Sequence, residues 1–470
     1  MKLERWKTIC VAFLFCFTTA TASRAQGVFT TLVDFDGSDG GYPVLNVLTQ
    51  GSDGNFYGAT YGGGVCDLCG TVFKMTPAGT LTTLYRFCSQ TNCTDGSQPL
   101  GSLVQALNGD FYGVAYRDGF YGGGTVFKIT AAGKLTTLYN FCSLANCADG
   151  KGPIGGLVQG RNGNFYGVAA FGGTSDAGTI FEINPAGQLT TLYSFCAQTN
   201  CADGQTPFAA LVQGRNGDLY GEAEAGGTFG FGTVFEITLQ GKLTTLFRFD
   251  GTDGSVPVGG LIQAADGDFY GVTAEGGNRG MGTVFRITPG GHLAGFYSFC
   301  SLTNCADGED PQGPLVQGTD NNFYGVTIHG GSGIGTVYQI TPTGSLTSLC
   351  FCGDGVYPFS GLLQATNGTF YGTTDAGGSG YGTIFSLSTG LGPFVSFVRN
   401  PARVGQEFGI LGQGFTGTTN VSLNGTAAPF TVKSDTLIVA TVPPGATTGY
   451  VTVTTTTGML NSNVQFHVIR

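Results

Sequence analysis

One string of apolar and polar positions recurs seven times along this chain: an apolar segment, a turn, Tyr-Gly, a double glycine, then Gly-Thr. The tyrosines are Tyr57, Tyr112, Tyr166, Tyr220, Tyr270, Tyr324 and Tyr371, at spacings of 47 to 55 residues. That length suits four strands and is too long for one rung of a β-helix. In the second unit, Ser102 to Gln105 predicts a first strand, and Asn108-Gly109 is a tight hairpin turn. Phe111 to Ala115 predicts the second strand, and a glycine-rich loop follows. Gly124 to Thr130 predicts the third, Ala132-Gly133 turns the chain, and Leu135 to Phe141 predicts the fourth. Strands three and four partly alternate polar with apolar residues, as half-buried strands do. First strands carry small residues, such as Gly155-Gly156 and Ala209-Ala210, which suit the crowded centre of a propeller.

Fourth strands begin near Leu81, Leu135, Leu189, Leu243, Leu293 and Leu346, and the last unit ends at Ile384 to Leu387 without one. The missing copy lies at the start, where Phe29-Thr30-Thr31-Leu32-Val33-Asp34-Phe35 repeats the fourth-strand pattern. An N-terminal strand completing the last blade staples a ring and removes exposed sheet edges, which an open solenoid does not require. After Gly392-Pro393 the repeat stops, and Phe408 to Leu411, Val421 to Leu423, Leu437 to Val442 and Tyr450 to Thr454 read as short strands. The expected fold is therefore all-β: a seven-bladed β-propeller over 27–390 closed by the N-terminal strand, plus a C-terminal immunoglobulin-like β-sandwich over 393–470.

The strings Asn-Gly-x-Phe-Tyr-Gly, the double glycine, Gly-Thr-Val-Phe and Leu-Thr-Thr-Leu-Tyr-x-Phe, over about 29 to 388, resemble the bacterial "choice-of-anchor tandem repeat GloVer-containing" proteins. The double glycine after strand two is loosely similar to kelch blades. The C-terminal module resembles an IPT/TIG domain through Gly412-x-Gly414-Phe415, Val421-Ser422-Leu423-Asn424-Gly425 and Val442-Pro443-Pro444-Gly445-Ala446 followed by Gly449. These resemblances imply export and a spacer or protein-contact module. The ending Phe466 to Arg470 has neither apolar tail nor basic cluster, which puts covalent or membrane anchoring in doubt and leaves open whether and how the chain is anchored.

Composition refines this picture. Eighty-three glycines among 470 residues, without a Gly-X-Y period, exclude collagen, and 37 Phe with 19 Tyr supply a core. Lys2, Arg5 and Lys7 precede the apolar run Thr8 to Phe17, with small-residue cleavage sites at Ala20-Thr21-Ala22 or Ser23-Arg24-Ala25. Residues 1–25 thus read as a signal peptide; as a membrane anchor the run is well short of the ~20 residues needed. Without them, 16 basic and 29 acidic residues remain, a net charge of −13. No basic patch is visible, so nucleic acid and anionic membranes are not expected partners. The expectation is a secreted or cell-surface protein with no membrane span after cleavage.

Twelve cysteines lie beyond residue 25. Cys88/Cys93, Cys142/Cys147, Cys196/Cys201 and Cys300/Cys305 share one spacing, while Cys66/Cys69 and Cys350/Cys352 are irregular. In an exported chain such pairs read as disulfides. Zinc is the competing reading, but His292, His329 and His467 stand beside no cysteine pair. The Cys-bearing connections are longer than Phe249-Asp250-Gly251-Thr252-Asp253, so the cysteines act as loop clamps. Cys350 and Cys352 are too close for relaxed geometry with each other.

The long, variable loops fall on one face, where binding is expected. There Asp-Gly-x-x-Pro precedes every innermost strand, at Asp39, Asp95, Asp149, Asp203, Asp253, Asp307 and Asp354. These aspartates cap turns or ring a channel mouth as ligands for a cation or polar group; the spacing is not that of a calcium loop. The Tyr-Gly tyrosines read as packing between units. Phe120, Tyr121, Phe229 and Phe231 are better contact candidates. Glu222, Glu224 and Glu275 occupy comparable places in neighbouring units and are the one conceivable carboxylate set for glycoside chemistry. With no histidine cluster, no catalytic residue, cofactor or metal is assigned. The expected function is non-catalytic binding or scaffolding with an extracellular or surface protein or glycan. The alternatives are a secreted carbohydrate-active enzyme and a structural envelope component.

Overall fold

A computed structural model of the chain describes residues 27–331, 333–349, 355–398 and 400–469; the expected signal peptide, Cys350, Cys352 and Asp354 lie outside them. Among the described residues, regular structure is all strand apart from four three-residue 3-10 turns. The repeats make seven antiparallel sheets, each ordered from first strand to fourth. In unit 2 the strands are Val104–Gln105, Phe111–Ala115, Thr125–Ile129 and Leu135–Asn140.

Strands two and three are buried on both faces, as in Phe56–Thr60 and Thr71–Met75, which is why they are nearly continuous apolar runs. Fourth strands are only half-buried and alternate. Except in unit 3, where Lys151–Gln159 runs as one strand, the first strands at the centre are short, as in Val104–Gln105. In unit 2 the backbone before Val104 is drawn against unit 3: a Cβ on Gly101 would lie 2.1 Å from the Gly156 nitrogen.

The N-terminal strand Val28–Asp34 pairs antiparallel with Thr383–Ser388, the third strand of unit 7. It skips one residue at Leu32, just as the fourth strands of units 1 to 4 skip Leu84, Leu138, Leu192 and Leu246. The carbonyl of Leu32 sits over the turn glycine Gly79 of unit 1, as that of Leu84 sits over Gly133 of unit 2. In register, bulge and neighbour, it is a fourth strand.

Two contacts recur between consecutive units. The Tyr-Gly tyrosine packs on the phenylalanine one residue before the next unit's tyrosine. Ring centroids are 4.0 Å apart for Tyr57–Phe111, 4.1 Å for Tyr112–Phe165 and Tyr220–Phe269, and 4.2 Å for Tyr270–Phe323 and Tyr324–Phe370. The same pair joins unit 7 to unit 1, Tyr371 to Phe56 at 4.2 Å. The second contact is a clasp by the first-strand glutamine, whose Oε1 accepts a backbone N–H of the preceding unit. Gln105 takes Ser52 N at 2.8 Å, Gln213 takes Arg161 N at 3.2 Å and Gln263 takes Arg215 N at 2.9 Å. Gln317 and Gln364 do the same for Ala265 and Thr319. Gln50 of unit 1 takes Thr366 N of unit 7 at 2.9 Å, and its amide donates to Thr366 Oγ1 at 3.1 Å.

The C-terminal module is two four-stranded sheets, built around Glu407–Leu411 with Leu437–Thr441 and around Asn420–Leu423 with Val451–Thr454. Phe408, Phe415, Val421, Ile438, Val453 and Phe466 fill the space between them. It packs against the tight-turn side of the repeats: Thr436 Oγ1 donates to Ser52 O at 2.8 Å, and Phe394 N donates to Thr366 O at 3.0 Å. Among the described residues, no helix is long and apolar enough to cross a membrane.

Candidate functional site

The opposite side carries the long loops, and five disulfides hold them. Cys66–Cys69, Cys88–Cys93, Cys142–Cys147, Cys196–Cys201 and Cys300–Cys305 are all bonded. Asp118 and Glu309 lie beside two of these pairs, but sulfurs joined to each other are not metal ligands.

The aspartates of Asp-Gly-x-x-Pro need a correction. Asp95, Asp149, Asp203 and Asp307 are at most 1 % exposed. Each carboxylate turns into its own disulfide loop. Asp149 accepts from Tyr139 Oη at 2.8 Å, Ser143 N at 2.9 Å and Leu144 N at 3.3 Å. Asp95, Asp203 and Asp307 accept from Tyr85, Tyr193 and Tyr297 at 2.8 Å each, and from the first loop amides. Asp39 and Asp253, in loops without cysteines, cap Asp36 N and Asp250 N at 3.0 Å. The loop amides are donors that would otherwise be buried unpaired, so the carboxylates are consumed in satisfying them. Asp95, Asp149, Asp203 and Asp307 thus fix loop shape and are not presented to a ligand, whereas Asp39 and Asp253 remain partly exposed.

The carboxylate set for glycoside chemistry also divides. Glu222 is buried within the sheets, where the other units have Ala59, Val114, Val168, Val272, Val326 and Thr373. Its Oε2 accepts Gly260 N at 2.9 Å, its Oε1 has no partner, and burial pushes its pKa up to about 8. Glu224, two residues on, is raised by burial and then by the neighbouring Glu275. Glu224 and Glu275 thus feel each other electrostatically, and Glu222 has no part in that interaction.

Two cavities lie where the first strands converge. The inner one, of about 310 Å³, is lined from all seven units by residues such as Val47, Ser102, Gly155, Ala209, Gly259, Gly313 and Gly361. The outer one, of about 620 Å³, opens among the long loops. Tyr42 and Tyr61 of unit 1, Phe208 of unit 4, and Phe359 and Tyr381 of unit 7 bring five aromatic rings to it. Among the described residues its charged side chains are Asp67 and Asp375, with no Lys, Arg or His.

Leu45 and Phe208 line both cavities and form the partition between them. Leu45 lies in a segment one residue longer than its counterparts: four residues separate Pro43 from Leu48, whereas three separate each equivalent proline from its leucine in the other six units. It adopts a left-handed φ of +54°, costly for leucine, as does Tyr42 at +56°. In the long loops, Phe120, Tyr121, Phe229 and Phe231 are exposed, at 69, 53, 59 and 42 %.

The mouth aromatics and the glutamine clasp were not singled out from the sequence. Both had a signal: a Gln at one place in every unit, and a variable residue on either side of the proline in Asp-Gly-x-x-Pro.

Among solved structures, a streptogramin B lyase is similar at 16 % identity and TM-score 0.54, covering 77 % of this chain and 97 % of its own. A fungal alcohol oxidase of the AA5 family, in complex with copper, is similar at 13 % and 0.54, covering 95 % and 100 %. The extracellular domain of the hybrid two-component system BT3049 from B. thetaiotaomicron is similar at 12 % and 0.51, covering 94 % of this chain and 55 % of that one. Such likenesses show a propeller-like fold alone. No curated protein matches the sequence. The family model of the Gloeobacter/Verrucomicrobia repeat matches residues 15–211, 143–305 and 198–385, and that of the IPT/TIG domain matches 394–468. This chain belongs to the Gloeobacter/Verrucomicrobia repeat family and carries a C-terminal IPT/TIG domain.

Proposed function

We propose that the seven sheets close into a seven-bladed ring that acts outside the cell or at its surface as a non-catalytic binding platform, with the aromatic mouth as its binding site. The observation that carries the reading is the outer cavity, built from units 1, 2, 4 and 7 and opening on the side away from the IPT/TIG domain. Closure is supported by the inner cavity, which takes residues from every unit. The Tyr371–Phe56 and Gln50–Thr366 contacts repeat between units 7 and 1 what joins the others. Extracellular residence is supported by five disulfides, since reducing compartments disfavour them.

The neighbours' chemistry does not carry over by fold. The fungal oxidase holds copper, whereas the described histidines here stand apart: His292 in a tight turn, His329 beside Asp310 at 3.6 Å, and His467 in the C-terminal module. The Glu224–Glu275 pair is the one observation favouring a carbohydrate-active enzyme. The test is a glycan and protein array probed with the mature chain and with Phe208→Ala. Binding lost in the variant supports the platform. Binding indifferent to the mouth, or hydrolysis lost in Glu224→Gln, refutes it.

A further inference from the structure

We propose that the mouth cavity binds an organic cation, a quaternary or methylated ammonium group, between its aromatic rings and the carboxylate of Asp375. This rests on the reading of the mouth as the binding site and adds the chemistry of its occupant.

Three observations select that chemistry. First, five rings from three units surround one cavity, with Tyr42 and Tyr381 tilted at 54° and 5.8 Å apart. Aromatic faces carry negative quadrupole charge, and several around one space attract a diffuse cation. Second, both charged residues of the lining are acidic, and the whole chain has a net charge of −10. Asp375 is partly buried, its carboxylate has no hydrogen-bond partner among the described residues, and burial raises its pKa, so an incoming cation relieves an existing desolvation cost. Third, the wall's polar side chains are tyrosine hydroxyls and two carboxylates, with no Asn, Gln, Arg or Lys among the described residues. Anions find no donor charge there at all.

The floor suits a compact head group. Leu45 and Phe208, which line this cavity and the inner one alike, give it an apolar floor. A trimethylammonium group would sit over this apolar floor with its charge directed to Asp375.

The test is calorimetric titration of the mature chain with choline and with its uncharged isostere 3,3-dimethylbutan-1-ol, at low salt. Choline is expected to bind at least about tenfold more tightly, the cation–π and ionic share of the contact. Asp375→Asn should weaken choline about tenfold and leave the alcohol unchanged, and Tyr61→Leu should weaken choline with the fold intact by circular dichroism. Equal affinity for the two probes, or no choline binding up to about 10 mM, overturns the proposal. If a neutral saccharide binds instead and Phe208→Ala abolishes it, the cation is wrong but the mouth stands as the site. If array ligands ignore the mouth as well, both readings fall.

Discussion

Glu222 makes the stability of the repeats depend on pH in a direction opposite to most paired carboxylates. Its pKa is about 8 when folded and near 4.5 as a model group. Below both values the carboxyl is protonated in either state and adds no pH dependence. Between them the unfolded chain gives up a proton that the folded chain keeps, so stability falls by about 1.4 kcal/mol per pH unit. Integrated from pH 5 to pH 8, the loss is about 2.5 to 3.5 kcal/mol. Glu222→Gln removes the titration but keeps an amide oxygen for Gly260 N–H. The assay is urea unfolding of both proteins at pH 5, 6, 7 and 8, read as the difference between their stability curves. The wild type should lose about 3 kcal/mol relative to the variant across this range, and most of it above pH 5.5. Parallel curves, within about 0.5 kcal/mol, would show that Glu222 is ionised and solvated in the folded chain.

Other consequences follow from the same contacts. Asp149→Asn should cost about 1.5 to 3 kcal/mol in thermal melts, because a charged acceptor for Tyr139 and two amides is lost. Replacing Cys142 and Cys147 by serine should cost about 2 kcal/mol and open that loop to protease, as a short disulfide loop removes modest chain entropy. Gln50→Ala should cost about 1 to 3 kcal/mol and speed proteolysis at the N-terminal strand, measured against Gln317→Ala as the same change at another junction. His467 has its pKa lowered first by burial and then by Arg215 and Arg161, so its contribution is present above about pH 6.5 and lost as pH falls. Arg215→Gln should raise that pKa, read from the imidazole protons by NMR.

Repetition made the strands legible. Each pattern of apolar, turn, Tyr-Gly and Gly-Thr-Val-Phe recurs with the same neighbours, so one unit explains the rest. The N-terminal strand was readable because it copies a fourth strand down to the leucine that slips. The disulfides were readable because the cysteines come and go with loop length. What the pattern did not reveal depends on which way a side chain turns. Asp95 and Asp149 have the same sequence context whether they face a channel or their own loop. The choice is made by Tyr85 and Tyr139, ten residues earlier, whose hydroxyls meet them. Glu222 lay in plain view as the one carboxylate where the other units have small or apolar side chains or threonine. Its burial follows from strands packed on both faces, not from its own neighbours in sequence. The mouth escaped notice because Tyr42, Phe208 and Phe359 vary from unit to unit, and only the convergence of the first strands brings them together.

Whether the array is a ring decides whether the mouth exists, and one cross-link tests it. Thr30 of the N-terminal strand is paired across from Ser386 of unit 7, both on accessible strand positions. In the double variant Thr30→Cys, Ser386→Cys, peptide mass mapping without reduction should find residues 30 and 386 joined within one monomer, in high yield and without loss of folding. A free pair of thiols, or a bond found only in dimers, would contradict a chain closed on itself by its first strand.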